Sequence, residues 1–505
     1  MKVLKSSQVK EVDAYTIENE PILSVNLMER AAGKFTEWLI QHIGIEKRFF
    51  IFVGPGNNGG DGLAVARQLA EKGRDVKVYI IKITDKLSPD AELNLQRLQD
   101  QNLAKIDYLS KSGDWPEIPA NSVVIDALFG SGLNRPLEGF PAEVVKFLNR
   151  GSQTRIAIDI PSGLFGEDNS SNIQKHIFRA DYTLTFQFPS LSFICPENES
   201  YVGNWEVLDI GLSREKIDEM DSAYFLITEN FIKNNLNSRK RFAHKGHFGH
   251  PLLINGSYGK MGAAILAAKA ALRAGSGLVT THLPVNGYAI MQTAVPEAML
   301  NIDISEIIFS EVPDLNNFSN VGCGCGIGMK VNTQKALGEL IQKEKRPLVL
   351  DADALNILAE NKEWLKLLPE NSILTPHPKE FERLTGETQK NHYDRIQIQR
   401  NFASKYRIVL VLKGGNTTIA LPDGTCYINT NGNPGIATAG SGDVLTGIIT
   451  SLVGQGYSPN HAAIIGVFLH GMAGDIAAEQ TSQESLIATD IIEFLGDAYK
   501  RIKSA

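Results

Sequence analysis

Along the chain, short apolar runs alternate with longer segments whose apolar residues recur at helical spacing. Residues 9–17 and 23–43 carry apolar positions three and four apart, the second including Leu27, Met28, Ala31, Ala32, Phe35, Trp38 and Leu39, and they predict helices packed on a sheet. Four compact apolar runs, 48–53, 76–81, 122–126 and 155–159, predict buried strands. Helices are predicted at 63–71 and near 90–99. Strand and helix in alternation predict a parallel α/β fold.

The rhythm weakens over 213–240, where polar and charged residues dominate, which places a domain boundary near 215–235 and divides the chain into 1–220 and 221–505. A strand at 223–228 would open the second part. Beyond it, 252–257 reads as strand and turn, 261–272 as an Ala-rich helix, and 408–417 as a strand ending in a lysine and two glycines. The stretches 321–328, 348–353 and 373–380 recur at intervals suited to βα units, and 444–452 reads as an apolar helix behind a Gly-rich turn. No internal repeat or low-complexity tract interrupts the pattern.

A length of 505 residues implies two or three domains, and 43% hydrophobic with 21% charged residues is the balance of a globular chain with ample core. The formal net charge of −7 argues against a general nucleic-acid binder. Cys195, Cys323, Cys325 and Cys426 form no disulfide framework and are read as reduced thiols. Charge interrupts the N-terminus before a signal-peptide core can form, and no apolar run is read as membrane-spanning, so the expected location is cytoplasmic.

Chemistry concentrates at strand ends. The run 54–62, Gly-Pro-Gly-Asn-Asn-Gly-Gly-Asp-Gly, follows a predicted strand and precedes a predicted helix, a geometry in which backbone amides approach a phosphate closely; a plain βα turn is the alternative. Asp126 and Asp159 each end a predicted strand and are followed by Gly-containing loops, where α/β sheets bind ligands, although either could cap a helix. In the second half, Gly440 and Gly442 precede the helix at 444–452, making an anion site from unpaired amides and the helix dipole. Asp443 at that mouth is either a base for a substrate hydroxyl or an N-cap. His244, His247 and His250 raise the question of a metal, but Gly246 and Gly249 break any helix that would align them, and a loop reaching an anionic ligand is the preferred reading. His377, held between two prolines, is read as facing a ligand. Lys413, Gly414 and Gly415 end a strand as a cradle for phosphates, or leave a surface lysine there.

Gly56-Asn-Asn-Gly-Gly-Asp-Gly62, Asp126-Ala-Leu-Phe-Gly-Ser-Gly and Asp159-Ile-Pro-Ser-Gly-Leu resemble the NAD(P)H-hydrate epimerase domain, a Rossmann-like αβα sandwich, over roughly the first 210 residues. The resemblance implies that Asn57, Asn58, Gly59, Gly60 and Asp61, with Gly130, Ser131, Gly132, Leu133, Asn134, Arg135 and Pro136, hold the hydrated nucleotide. It further implies a potassium site at Asn58, Asp126 and Ser162, and Asp159 as both substrate contact and acid/base.

The second half resembles the ribokinase-like fold and, within it, the ADP- or ATP-dependent NAD(P)H-hydrate dehydratase. His244-Lys-Gly-His-Phe-Gly, Gly262-Ala-Ala, Leu350-Asp-Ala-Asp-Ala-Leu, Thr375-Pro-His-Pro-Lys-Glu-Phe, Leu412-Lys-Gly-Gly-Asn-Thr and Gly440-Ser-Gly-Asp-Val-Leu carry the match. It implies that Lys413, Gly414, Gly415, Asn416, Thr417 and Gly442 bind the adenine nucleotide, and that Ala263, Gly328, His377 and Asp443 face the hydrate, with Asp443 as base. Glu380 corresponds to an acidic residue that organises magnesium. Cys325 departs from the family, standing where a Gly-Pro-Gly-Leu-Gly loop has proline.

Together these imply a bifunctional repair enzyme using potassium, magnesium and ADP or ATP, with ADP favoured for a fused chain. Its partners would be small molecules and further copies of itself, with no nucleic acid or membrane. Two rivals remain: a ribokinase-like small-molecule kinase with a dinucleotide-binding N-terminal domain, and a non-catalytic nucleotide-binding protein.

Overall fold

The computed structural model describes residues 1–84 and 86–504. It divides into two compact units, one of Lys2–Ser222 with Asn391–Tyr393, the other of Met1, Ala223–Lys390 and Asp394–Ala505.

The first unit is built on a seven-stranded sheet. Its strands are β1 (Arg48–Val53), β2 (Val76–Ile81), β3 (Lys105–Leu109), β4 (Ser122–Ala127), β5 (Thr154–Ile158), β6 (Tyr182–Phe186) and β7 (Asn204–Leu208). They lie in the order β3-β2-β1-β4-β5-β6-β7, every pairing parallel. Connections leave β1 and β4 in opposite directions, so the strand order reverses between them and opens a crevice at their carboxyl ends. Register fixes what meets there: Phe52 pairs with Asp126 and Val53 with Ala127, and the Gly54 amide donates to the Ala127 carbonyl at 2.9 Å. β3 and β7 were not read from the pattern because they are edge strands with much of their length exposed, so their sequences lack continuous apolar runs.

The helix expected at 63–71 begins earlier, spanning Asn57–Glu71, so most of the Gly-rich run is its first turns rather than a loop. Helix propensity disfavours glycine there, and packing explains it. A Cβ on Gly59 would lie 2.0 Å from the Gly54 carbonyl oxygen, and one on Gly62 would lie 2.4 Å from the Ala127 Cβ. The glycines let the helix N-terminus press onto the ends of β1 and β4.

The sheet of the second unit contains β8 (Tyr224–Leu226), β9 (Leu252–Ile254), β10 (Thr280–Leu283), β11 (Met299–Ile302), β12 (Val321–Cys323), β13 (Leu348–Leu350), β14 (Ile373–Leu374), β15 (Val409–Leu412), β16 (Thr417–Ala420) and β17 (Cys426–Asn429). These run in the order β8-β17-β16-β15-β14-β13-β12-β9-β10-β11, with only the β15–β16 and β16–β17 pairings antiparallel. Successive residues of β15 face opposite ways. Val409 and Val411 join a core with Met261–Arg273's Ala270, and with Ser441–Gly454, Pro459–Gln480 and Ala488–Ser504, while Leu410 and Leu412 join one with Val331–Lys343, Asp353–Glu360 and Pro378–Thr385.

Helix Pro459–Gln480 corrects the expectation that no apolar run is long enough to cross a membrane: its 22 residues satisfy length and hydropathy. Within its most apolar window 78% is buried inside the unit, as befits a central core helix apolar all round. All four cysteines are buried and unpaired.

Candidate active sites

In the first unit, the crevice at the β1 and β4 ends gathers the sequence-derived residues. Asp126 is wholly buried; its Oδ1 accepts from the Ser162 hydroxyl at 2.7 Å and the Leu128 amide at 3.1 Å, and its Oδ2 from the Ser162 amide at 2.7 Å. Burial pushes its pKa up to about 6, against the pull of those donors. The Ser162 hydroxyl also accepts from the Phe129 amide at 2.8 Å, tying the β4 and β5 loops together. Asn58 is only 7% exposed, and its Nδ2 is buried without a hydrogen-bond partner. Its side chain lies under Gly130, where a Cβ would be 3.3 Å from it.

Asp159 follows β5 in a left-handed conformation, φ 65°, sparsely adopted by a residue with a Cβ. Its Oδ1 accepts from the Thr185 hydroxyl at 3.1 Å, and burial raises its pKa. Asp61 is raised further, by burial and then by the charges of Asp159, Asp13 and Asp90. Of the loop residues, Ser131 accepts from the Ser6 hydroxyl through its carbonyl at 2.8 Å, and the Leu133 amide donates to Gly130 at 3.3 Å. Leu133 packs against a core cluster, Asn134 and Arg135 are exposed, and Pro136 is half-buried.

Sequence reasoning missed Asp13. It lies on helix Ser6–Asn19, which reaches the site through Ser6, and burial followed by repulsion from Asp159 pushes its pKa up to about 6. Its only signal in sequence was a polar residue on an otherwise amphipathic helix.

In the second unit, the Gly-Ser-Gly-Asp run is the start of helix Ser441–Gly454, and the N-cap is Gly440 at φ 89°, not Asp443. Asp443 stands in the first turn with its carboxylate free of a capping duty. Burial pushes it up to about 6, opposed by the Cys325 thiol and the charge of Lys413, and reinforced by Asp351 and Asp353. The Lys413 ammonium lies 3.3 Å from where a Gly442 Cβ would be, and so at the helix N-terminus. It is paired with Asp351 at 2.8 Å; burial alone would lower its pKa, but Asp351 and Glu380 hold it above the usual lysine value. The turn after it is closed by the Gly414 amide donating to the Thr417 hydroxyl at 3.3 Å; Gly415 is open to solvent and Asn416 lies between.

His377 is the N-cap of helix Pro378–Thr385. Its Nδ1 accepts from the Lys379 and Glu380 amides at 3.1 and 3.4 Å, and its own amide donates to Glu380 Oε2 at 2.8 Å. Burial and then Lys413 lower its pKa, keeping the ring neutral. Glu380 is buried with its pKa raised by that burial, which Lys413 partly offsets. Gly328 donates to Asp353 Oδ2 at 2.8 Å, and Ala263 faces the same loop, 3.2 Å from where a Gly326 Cβ would lie. Asp353 does not cap the following helix: its carboxylate also takes Lys260 at 3.1 Å. Of the three clustered histidines, His244 and His247 stay together, their ring centroids 3.9 Å apart, and His250 turns to another partner. His244 caps a 3-10 turn at Lys245–Phe248, His247 accepts from the His244 amide, and His250 bonds the Thr280 hydroxyl.

Asp351 is the residue that sequence reading left without a role. At 1% exposure it accepts from Lys413 and, through Oδ2, from the Thr446 hydroxyl at 2.8 Å, linking two strands' ends to helix Ser441–Gly454.

A mostly parallel sheet, with a Gly-rich helix start and a lysine and acidic residues around it, defines the second unit as ribokinase-like; the first, with its crevice at the strand-order reversal, is Rossmann-like. The NAD(P)H-hydrate dehydratase family model matches residues 251–496, and that of the YjeF-related protein N-terminus matches 24–192. The bifunctional NAD(P)H-hydrate repair enzyme of Moorella thermoacetica is 37% identical over 98% of this chain and 96% of its own, and that of Thermofilum pendens 34% identical over 100% and 97%. A solved ribokinase-like superfamily protein of Enterococcus faecalis superposes with a TM-score of 0.50 at 26% identity, covering 57% of this chain and 99% of its own. The chain belongs to the family of bifunctional NAD(P)H-hydrate repair enzymes.

Proposed function

We propose that residues 1–220 epimerise hydrated NADH and NADPH and that residues 221–505 dehydrate the S epimer back to the reduced dinucleotide at the expense of ADP or ATP. Likeness over the whole length of bifunctional relatives carries this reading, and the chemistry of both sites supports it.

In the first site, Asn57, Asn58, Gly59, Gly60 and Asp61, with the loop from Gly130 to Pro136, hold the hydrate, and the exposed Arg135 offers a cation to its phosphates. The hydroxyl sits on the ring carbon bonded to nitrogen; Asp159 in its acid form protonates that oxygen as the carbon–oxygen bond breaks to give water and a ring iminium, and takes the proton back as water adds to the opposite face. Its raised pKa keeps the acid form available closer to neutrality. Potassium suits the hard side-chain oxygens of Asn58, Asp126 and Ser162, three buried polar residues, of which Ser162 and Asp126 meet at 2.7 Å. The ion would supply fixed positive charge beneath the loop.

In the second site, Asp443 takes the proton of the hydrate's C6 hydroxyl as that oxygen attacks the terminal phosphorus of the nucleotide. The amides at Gly440 to Gly442 and the Lys413 ammonium stabilise charge on the transferred phosphoryl group. Phosphate then departs in place of hydroxide, and loss of a ring proton restores the double bond. Lys413 to Thr417 and Gly442 hold the nucleotide, and Ala263, Gly328 and His377 face the hydrate. Magnesium suits Glu380, a buried carboxylate whose raised pKa reports incomplete compensation of its charge. The metal would neutralise phosphate oxygens.

The adenosine end fits a cavity of about 540 Å³ lined by Thr430, Asn431, Asn433, Phe468, Met472 and Asp475 among others. Thr417 pairs with Asn429 across the sheet, which sets this cavity beside the Lys413 turn. We further propose a homo-oligomeric assembly in the cytoplasm. The test is Asp159→Asn in the full chain: S hydrate should be dehydrated at the unaltered rate while recovery of R hydrate falls to the rate of spontaneous interconversion. Undiminished R recovery would remove Asp159 as the acid/base.

A further inference from the structure

We propose that His470 is a positioning residue for dehydration: its ring donates a hydrogen bond to the Ser441 carbonyl and, through the planar Ser441–Gly442 peptide, aims the Gly442 amide at the phosphoryl group being transferred. The inference rests on the reading of this helix start as the phosphoryl site.

His470 lies midway along helix Pro459–Gln480 and is buried. Its Nε2 is 3.0 Å from the Ser441 carbonyl oxygen and 3.1 Å from the Ser441 hydroxyl oxygen. A carbonyl oxygen only accepts, so Nε2 carries a proton and donates it. Burial pulls the pKa of the ring down to about 4, which keeps it neutral and makes that proton its single N–H.

The carbonyl that His470 holds belongs to the same planar peptide unit as the Gly442 N–H, and in a trans unit the two bonds point in opposite directions. Fixing one therefore fixes the other. A donor on the carbonyl also polarises the unit and strengthens its N–H as a donor. Glycine at 442 gives little steric resistance to a turn of an unheld peptide, so the bond from His470 supplies the restraint that a side chain would. Gly442 stands beside the cation of the site, since a Cβ there would lie 3.3 Å from Lys413 Nζ. The neighbouring Ser441 amide is committed elsewhere, donating to the Thr438 carbonyl at 3.3 Å. The same helix grips the loop that lines the cavity assigned to adenosine. Asp475 accepts from the Gly432 amide at 2.8 Å and from Asn433 Nδ2 at 2.9 Å. One rigid element thus sets the phosphoryl end against the adenosine end.

The experiment compares His470→Leu, His470→Asn and His470→Gln with the unaltered full-length chain, following dehydration of S hydrate, adenine nucleotide binding, and epimerisation as the check on the rest of the chain. Leucine fills the space without a donor, the asparagine amide falls short of Ser441, and the glutamine amide reaches where Nε2 stood. In His470→Leu and His470→Asn kcat should fall about 10- to 100-fold while KM for the hydrate stays within about twofold. His470→Gln should recover most of the loss. A residue that only packs the core would lower the melting temperature in all three variants without dividing kcat from KM. In the unaltered chain, a histidine-selective nitrogen-15 spectrum should show the His470 signal, identified by its absence in His470→Gln, with Nε2 protonated and Nδ1 bare. This spectrum and His470→Gln keep the test decisive where leucine or asparagine does not fold. A proton on Nδ1, kcat retained in His470→Leu, or an equal loss in His470→Gln would overturn the inference alone, provided Asp443→Asn is inactive. Turnover retained in Asp443→Asn would overturn the reading of the site and this inference with it.

Discussion

Replacing Gly59 by alanine should disable the first active site and spare the second. The added Cβ would stand 2.0 Å from the Gly54 carbonyl oxygen and 3.1 Å from Val53 Cγ1. An ordinary carbon–oxygen contact needs about 3.4 Å, so the start of helix Asn57–Glu71 must retreat from β1 by more than about 1 Å, against backbone that cannot swing aside. Overpacking of this kind costs about 1–3 kcal/mol, which for a unit of this size lowers its melting temperature by about 2–4 °C per kcal/mol. The displacement also carries Asn58 and Asp61 away from the Gly130 loop, and misplacement by about 1 Å costs on the order of 100-fold in rate. Gly56→Ala is the control: a Cβ there meets nothing within 4 Å, and its φ of −91° suits any residue. The assay follows R and S hydrate separately. The expected result is loss of R recovery in Gly59→Ala with S dehydration intact, and near-normal behaviour in Gly56→Ala. Equal epimerisation in Gly59→Ala would refute the claim that close approach, rather than loop flexibility, explains these glycines.

Dehydration should titrate with Asp443: as a base it works deprotonated, so turnover is lost as pH falls through about 6, tenfold for each further unit, and a flat profile from pH 5 to 8 would contradict this. Asp443→Asn should reduce dehydration by about 10²- to 10⁴-fold while calorimetry still detects adenine nucleotide binding. Lys413→Met leaves the buried Asp351 without its cation and should destabilise the second unit by about 3–5 kcal/mol, much of which Lys413→Met with Asp351→Leu restores, as denaturant unfolding would report. Exchanging potassium for tetramethylammonium should slow epimerisation and leave dehydration unchanged in the same two-epimer assay.

The residues legible in sequence were those whose neighbours along the chain already restrict the backbone. Asp126 and Asp159 stand at or just past the end of a strand ahead of a Gly-containing loop, Asp443 follows Gly442 in the first turn of its helix, and strands β1 and β2 were readable because both faces are buried. Asp13, Asp351 and His470 were not. Asp13 comes from a helix far from the crevice in sequence, Asp351 acquires its role only by pairing with Lys413 and Thr446, and His470 bonds Ser441 from the middle of a core helix, where burial pulls its pKa down to about 4. The helix start at Asn57 was misread for a related reason: glycine opposes helix locally, and only the contacts with Gly54 and Ala127 show why it is tolerated.

The central claim, two linked activities in one chain, is tested most directly by recovery of the reduced-nicotinamide absorbance from a mixed-epimer NADH hydrate, with magnesium and either ADP or ATP. Recovery of both epimers, faster than their spontaneous interconversion and dependent on an adenine nucleotide, is the predicted result. Recovery that stalls once the S epimer is consumed would contradict the epimerase, and no recovery with either nucleotide would contradict the account of both sites.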